Sequence, residues 1–220
     1  MQIKGVIFDL DGVLVSTDEY HYKAWKRMAD EEGISFDRTD NEKLRGVSRM
    51  ASLGIILEKS DRVYSQAEKD MLATRKNTYY REALKTLEPE HVLPGALETL
   101  SRLSAMNVKI AVGSSSKNAP LILSRTGLEN LFEVVVDGNH ITNSKPHPEV
   151  FLKAAEALEL LPEQCLVVED ANAGVEAALR ANMAVIGVGS AAVHPSVKAG
   201  LSGLNDIDIS VFLSDIDLEV

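Results

Sequence analysis

Asp9-Leu-Asp-Gly12 follows directly on the mostly apolar run Ile3–Phe8. Two carboxylates at the end of a strand can point into one site. Their mutual repulsion separates their proton affinities, so one stays ionised while the other can hold a proton. That is a nucleophile beside an acid/base group, although Asp-Gly after a strand is also what an Asx-type turn requires. Three more clusters weigh against the plain turn. Glu169-Asp170 follows the apolar run Cys165-Leu-Val-Val168, and oxygen-only ligands from separate strand ends suit Mg²⁺. A helix N-cap accounts for Asp170 but not for the acidic pair. Ser114-Ser-Ser-Lys117-Asn118 follows a third apolar run and opens a helical pattern. There hydroxyls and backbone N–H groups can hold a phosphate, or simply cap the helix. Ser144-Lys145-Pro-His-Pro148 sets a lysine in a stiff loop, where it can neutralise a transferring phosphoryl group; a lone surface lysine would only be solvated.

Positioning these residues requires strands that end side by side. Ile3–Phe8, Val108–Gly113, Val134–Val136, Cys165–Val168 and Ala184–Val188 read as buried strands. Between them run helical patterns at Leu97/Leu100/Leu103, Leu121/Ile122, Val150/Phe151/Ala154/Ala155/Leu158 and Val175/Ala178/Leu179. Strands alternating with single helices predict an α/β fold whose parallel sheet is covered on both faces. Ligands in such sheets bind beyond the carboxyl ends of the strands, where Asp9, Ser114 and Glu169-Asp170 collect.

One stretch breaks the alternation. Between 17 and 87 the apolar spacing is helical throughout, in Tyr20/Ala24/Met28, Leu53/Ile56/Leu57, Met71/Leu72 and Tyr79/Tyr80/Ala83/Leu84. The expectation is a helical domain inserted after the first strand, with residues 1–15 and 92–220 forming the α/β core and 16–91 the insertion and its linkers. Two chain crossings make a natural hinge. The tail 202–220 is acidic and ambiguous.

Composition narrows the function classes. Lys+Arg 23 against Asp+Glu 33 leaves a net charge of −10, a poor balance for binding nucleic acid or anionic membranes. The start of the chain lacks the pattern of a signal peptide, and no run is long enough to span a membrane. Cys165 is the single cysteine, which predicts an inert core thiol and a reducing, cytoplasmic home. Nothing in the sequence proposes a dimer interface, so a monomer is expected.

In this order, DxDG, Ser, Lys and Glu-Asp resemble the haloacid dehalogenase superfamily of phosphotransferases over nearly the whole chain. The resemblance implies a Rossmann-like doubly wound parallel sheet core with an inserted α-helical cap domain. It also implies that Asp9 attacks phosphorus to form an aspartyl phosphate, while Asp11 exchanges the proton with the sugar oxygen. Mg²⁺ would sit on the Asp9 carboxylate, the Asp11 carbonyl and Asp170, with Glu169 adjacent. Ser114 and Lys145 would hold the transferring phosphoryl oxygens.

The insertion narrows the resemblance to the β-phosphoglucomutase family, through Thr17, His21, Trp25, Leu44-Arg-Gly-Val-Ser-Arg49, Ser52 and Arg75-Lys-Asn77. In that family the His21 position couples cap closure to acid/base work at Asp11. Arg49 would clamp the non-transferring phosphate, with Ser116, Lys117 and Asn118 completing that second site. Lys76 would contact the sugar. Arg45, Gly46, Val47, Ser48, Ser52 and Ser115 would line the substrate site, Thr17 and His21 would join Asp9, Asp11, Ser114 and Lys145 as catalytic residues, and Trp25 would serve as cap core or sugar platform. The implied reaction interconverts β-glucose 1-phosphate and glucose 6-phosphate through β-glucose 1,6-bisphosphate. A Mg²⁺-dependent sugar-phosphate phosphatase on the same scaffold is the alternative. Arg45 stands where the family typically has lysine, Ser16 where it has an acidic residue, and Ser115 where it has a small apolar one.

Overall fold

The apolar runs become strands β1 (Gly5–Phe8), β2 (Lys109–Gly113), β3 (Val134–Val136), β4 (Cys165–Glu169) and β5 (Ala184–Val188) in a computed structural model that describes residues 2–206, 208–209 and 211–214. A sixth strand, β6 (Ala199–Leu201), completes the sheet in the order β3-β2-β1-β4-β5-β6. Every pairing is parallel. Strand β6 had no sequence signal: three residues around a glycine make no apolar run, and only pairing to β5 turns them into a strand.

Alternation along each strand divides the interior into two layers. Val6 and Phe8 of β1 pack with Val112 and Val168 under α5 (Ala96–Ala105) and α6 (Ala119–Thr126). Ile7, between them in sequence, faces the opposite layer with Val167 and Val185 under α7 (Glu149–Ala157) and α8 (Asn172–Arg180). A sheet buried on both sides needs continuous apolar strands, which is why the runs were legible. The helical stripes were legible less sharply. In α5 the buried residues are Ala96, Thr99, Leu100 and Leu103, so Leu97 falls off the stripe and is 55% exposed. Cys165 is fully buried, and burial pushes its thiol up to about 12, as expected of an inert core residue.

The helical insertion comprises α1 (Asp18–Glu31), α2 (Arg38–Glu42), α3 (Arg49–Leu57) and α4 (Gln66–Ala83). The short polar α2 escaped the apolar reading; its signal is a capping box in which Asp37 and Asp40 satisfy each other's backbone N–H groups. Trp25, Met28, Leu53, Ile56 and Leu72 form a separate apolar cluster inside this cap, whereas Met71 lies outside it and is 64% exposed. Ala24, Tyr80 and Leu84 instead join the larger cluster of the sheet. Val15 pairs antiparallel with Val92 where the chain leaves and re-enters the core. Ser16 N donates to His91 O at 2.9 Å and Leu93 N to Leu14 O at 2.9 Å, so the two crossings lie side by side.

Of the ambiguous tail, Leu204, Ile209 and Leu213 pack into the larger cluster, and a last short helix, α9 (Val211–Ser214), ends the described chain. Positions 207, 210 and 215–220 of that tail lie outside the described residues. Among the described residues no helix is long and apolar enough to cross a membrane.

Candidate active site

Strand order reverses between β1 and β4, and the crevice beyond such a switch point is where α/β sheets bind ligands. The register pairs Phe8 with Val168, so the residues that follow, Asp9 and Glu169, stand side by side at the crevice. Lys145 Nζ reaches between them, 2.5 Å from Asp9 Oδ1 and 2.8 Å from Glu169 Oε2. The other oxygen of Glu169 accepts the backbone N–H groups of Asp170 and Ala171, each at 3.1 Å. Burial pushes Asp9 up to about 8, with Lys145 opposing and Glu169 and Asp11 adding to the rise. Burial alone would lower Lys145, but its two carboxylate partners hold it above the usual lysine range. Asp170 is raised by burial and by Glu169 and Asp9.

One oxygen from each of Asp9, Glu169 and Asp170 lies within 4.8 Å of the others, and all three residues are buried. This hard, oxygen-only donor set fits a small divalent cation. Gly12 explains how the carboxylates come so close. Its φ of +85° disfavours a side chain, and a Cβ there would collide with the Asp170 carboxylate. On the neighbouring strand, Ser114 N donates to Val136 O at 3.0 Å. The Ser114 hydroxyl accepts from Ser116 N at 3.1 Å and the Ser116 hydroxyl from Asn118 N at 3.2 Å, two successive turns that lead into α6.

The cap contributes a second wall. Thr17, buried at the start of α1, donates its hydroxyl hydrogen to Asp11 Oδ1. Burial pushes Asp11 up to about 6, against the pull of that hydrogen bond. His21, one turn further along α1, places Nε2 4.0 Å from Asp11 Oδ1 and Nδ1 3.0 Å from Lys76 Nζ. In the tautomer whose Nδ1 accepts from Lys76, the ring proton lies on Nε2, the nitrogen that faces Asp11. Burial lowers both His21 and Lys76 well below their usual ranges, and each is lowered further by a neighbouring cation. Lys76 Nζ sits 4.6 Å from the centres of both the Trp25 and Tyr80 rings, a contact that compensates part of the lost hydration. Trp25 is cap core, 2% exposed within the cap cluster, and it also borders the cavity.

Arg45 spans the gap. Its guanidinium meets Asp170 Oδ2 at 3.1 Å, Glu42 Oε2 at 2.8 Å and Asp18. Beside it Gly46 has φ +72°, and a Cβ there would lie 2.7 Å from that of Ala171 in the core. Asn118 Nδ2 donates to Asn77 Oδ1 at 3.0 Å, a second cap-to-core contact. Arg49 differs from Arg45: among the described residues it makes no ion pair, and burial lowers its pKa.

A single cavity of about 500 Å³ gathers these groups. It is lined by Asp9, Asp11, His21, Trp25, the loop Arg45–Arg49, Ser52, Lys76, the segment Ser114–Asn118, Lys145 and Asp170. Of the residues singled out from sequence, Thr17 and Glu169 are not on its wall; they hydrogen-bond to Asp11 and Lys145, which are. Sequence reasoning overlooked Asp18 as the Arg45 partner and Tyr80 as cavity wall. Tyr80 could have been found: it lies one helical turn after Lys76 and therefore shares its face of α4.

The sequence pattern of the haloacid dehalogenase-like hydrolases matches residues 6–188. The chain is 44% identical to the β-phosphoglucomutase of Bacillus subtilis (strain 168), over 96% of this chain and 93% of that protein. The chain belongs to the haloacid dehalogenase superfamily and, within it, to the β-phosphoglucomutase family. The crystal structure of a β-phosphoglucomutase from Clostridium difficile superposes with a TM-score of 0.90 at 38% identity, covering 96% of this chain and 95% of that one. A phosphorylated carbohydrates phosphatase of Thermotoga maritima is 32% identical over 82% of each chain. The superfamily thus contains relatives of both chemistries on which the family resemblance turned. Its enzymes are metal-dependent, and the buried Asp9, Glu169 and Asp170 form the acidic cluster in this chain that could serve a metal.

Proposed function

We propose that this enzyme is a β-phosphoglucomutase that interconverts β-glucose 1-phosphate and glucose 6-phosphate by way of β-glucose 1,6-bisphosphate. The observation that carries the reading is Arg49, a guanidinium without an ion-pair partner among the described residues, on the wall of the cavity that also contains Asp9. A half-buried unpaired cation invites an anion. Lys145 and Ser114 already furnish one phosphate station at Asp9, so Arg49 with Ser116, Lys117 and Asn118 furnishes another. A bisphosphate that must turn end for end needs both, whereas a phosphatase needs one.

In this mechanism the phosphoryl group on Asp9 passes to the 6-hydroxyl of β-glucose 1-phosphate, and Asp11 takes the hydroxyl proton as the new O–P bond forms. The bisphosphate then reorients. Its 1-phosphate meets Asp9, the phosphoryl group returns to the carboxylate, and Asp11 delivers the proton to the departing sugar oxygen. Lys145 and Ser114 hold the oxygens in transfer, while Thr17 and His21 orient Asp11. Asp9, Asp170 and the Asp11 carbonyl would hold Mg²⁺, with Glu169 adjacent, and the ion would supply positive charge to offset the repulsion between phosphate and carboxylate. Residues 16–91 act as the cap and 1–15 with 92–220 as the core, closing to keep water from Asp9. A monomer in the cytoplasm, acting on sugar phosphates and not on nucleic acid, completes the reading.

A coupled assay tests it. β-Glucose 1-phosphate with catalytic bisphosphate and Mg²⁺ should yield glucose 6-phosphate. Rapid release of inorganic phosphate without isomerised product would favour the phosphatase reading instead.

A further inference from the structure

Thr17, Tyr20, His21 and Ala24 share one face of α1, at the spacing that aligns side chains along a helix. The first and third of these serve Asp11; the second does something else. Tyr20 Oη lies 2.9 Å from His91 Nε2, and the two rings meet edge to face with centroids 5.6 Å apart. His91 belongs to the returning chain crossing: its carbonyl accepts from Ser16 N at 2.9 Å, and its neighbour Val92 pairs with Val15. On its far side, His91 Nδ1 lies 3.2 Å from Glu88 N and 3.1 Å from Glu88 O, so the ring is fixed by its own turn. The Tyr20 bond closes in either imidazole tautomer, because a hydroxyl can donate or accept. The alternative partner for Tyr20, Thr86, is 3.5 Å away and gives a much weaker bond.

We propose that Tyr20 and His91 form a positioning pair that sets how α1, and the cap with it, sits at the hinge and so holds Thr17 and His21 against Asp11. The rest of α1 is held inside the cap, where Trp25 and Met28 pack in the cap cluster and Glu31 pairs with Arg75 of α4, so α1 moves with the cap as a body. A cap joined to the core by two crossings can still swing about them, and a swing that moves Tyr20 moves Thr17 and His21 with it. Tying Tyr20 to the second crossing restrains that swing. Neither Tyr20 nor His91 lines the cavity, so the pair acts through α1 and not on the substrate. The inference rests on the assignment of Asp11 as the proton-transfer group in the proposed function.

Leaving-group chemistry provides the test. A departing sugar alkoxide needs the proton that Asp11 supplies, whereas p-nitrophenolate leaves without one. Tyr20→Phe and His91→Leu should each lower kcat on β-glucose 1-phosphate about tenfold with KM unchanged, a fraction of the full general-acid effect. The first-turnover burst of p-nitrophenolate, which precedes attack of water on phosphorylated Asp9, should stay within about twofold of wild type. His91→Gln, whose amide can still reach Tyr20, should recover most of the sugar-phosphate rate. Unchanged kcat on the sugar phosphate in both variants would overturn the proposal. So would equal losses on both substrates accompanied by a lower Tm, which would make the bond a stabiliser of the turn alone. If wild type releases phosphate without isomerising the sugar, the mutase reading fails by itself. The same contrast between sugar-phosphate turnover and the p-nitrophenolate burst then still decides the positioning pair.

Discussion

The two walls of the cavity balance their charges in different ways. On the core wall, compensation is internal: Lys145 meets Asp9 and Glu169, and Glu169 also accepts two backbone N–H groups from its own loop. On the cap wall, compensation crosses the cleft in part, or is missing. Arg45 pairs with Asp18 and Glu42 of the cap and also reaches over to Asp170, His21 faces Asp11, and Arg49 has no ion-pair partner among the described residues. The Lys145–Asp9–Glu169 group is therefore held within the core, while part of the cap's charge balance is reached only across the cleft. Removing one member of a buried, compensated group leaves an unpaired charge behind. Removing a cap cation costs chiefly what it was about to bind. This difference teaches that chemistry and selectivity are stored in separate walls, and each can be attacked alone.

The largest effect should come from Asp9→Asn, which deletes the nucleophile and should cost about four orders of magnitude or more in turnover on every phosphate ester. Phosphate release at the wild-type rate in this variant would remove the core wall from the chemistry altogether. Next, Asp11→Ala should lower sugar-phosphate turnover by about 10²–10⁴-fold and the first-turnover release of p-nitrophenolate far less. Equal losses on both esters, measured side by side, would mean that Asp11 organises the site without moving a proton.

Arg49→Ala probes the cap. It should raise KM for β-glucose 1,6-bisphosphate roughly 10–100-fold, the worth of a charge-assisted hydrogen bond, and spare small aryl phosphates. Were both substrates impaired alike, the two walls would not divide the labour as described.

The smallest effect is a pH dependence of metal stabilisation. Asp9 is raised from 3.8 to about 8 by burial, so the folded chain holds that proton more tightly than the unfolded chain does. The stability it contributes is present below about pH 4 and is lost as pH rises through about 8. Between pH 6.5 and 8, where the lowered His21 is already neutral, Tm in EDTA should therefore fall. A metal must displace the same proton, so the rise in Tm on adding Mg²⁺ should be roughly 2–4 °C larger at pH 8 than at pH 6.5. A Mg²⁺ increment that is flat across this window would show that the core wall is not coupled to the cation through Asp9.

Legibility followed the same division. Strand runs such as Ile3–Phe8 and Cys165–Val168 are local signals, and the residues that end them are simply next in the chain, so Asp9, Asp11, Ser114, Glu169 and Asp170 could be placed together from spacing. Lys145 was singled out by its stiff Pro-flanked loop, but its place beside Asp9 shows only in the tertiary structure. For the cap, the resemblance picked out Arg45, Arg49 and Lys76 as wall residues, and all three line the cavity. What each one touches was out of reach.

The sequence by itself determined a doubly wound α/β core, a helical insertion after the first strand and an acidic site at the strand ends, because periodicity and strand termini are written in consecutive residues. Only the tertiary structure decided that Arg45 is held by carboxylates from both walls, that Asn77 meets Asn118, and that Tyr20 is tied to His91. The partners Arg45 and Asp170, Asn77 and Asn118, and Tyr20 and His91 lie 125, 41 and 71 residues apart. Contacts at such separations depend on how the cap docks on the sheet, and no local pattern of residue types encodes that docking.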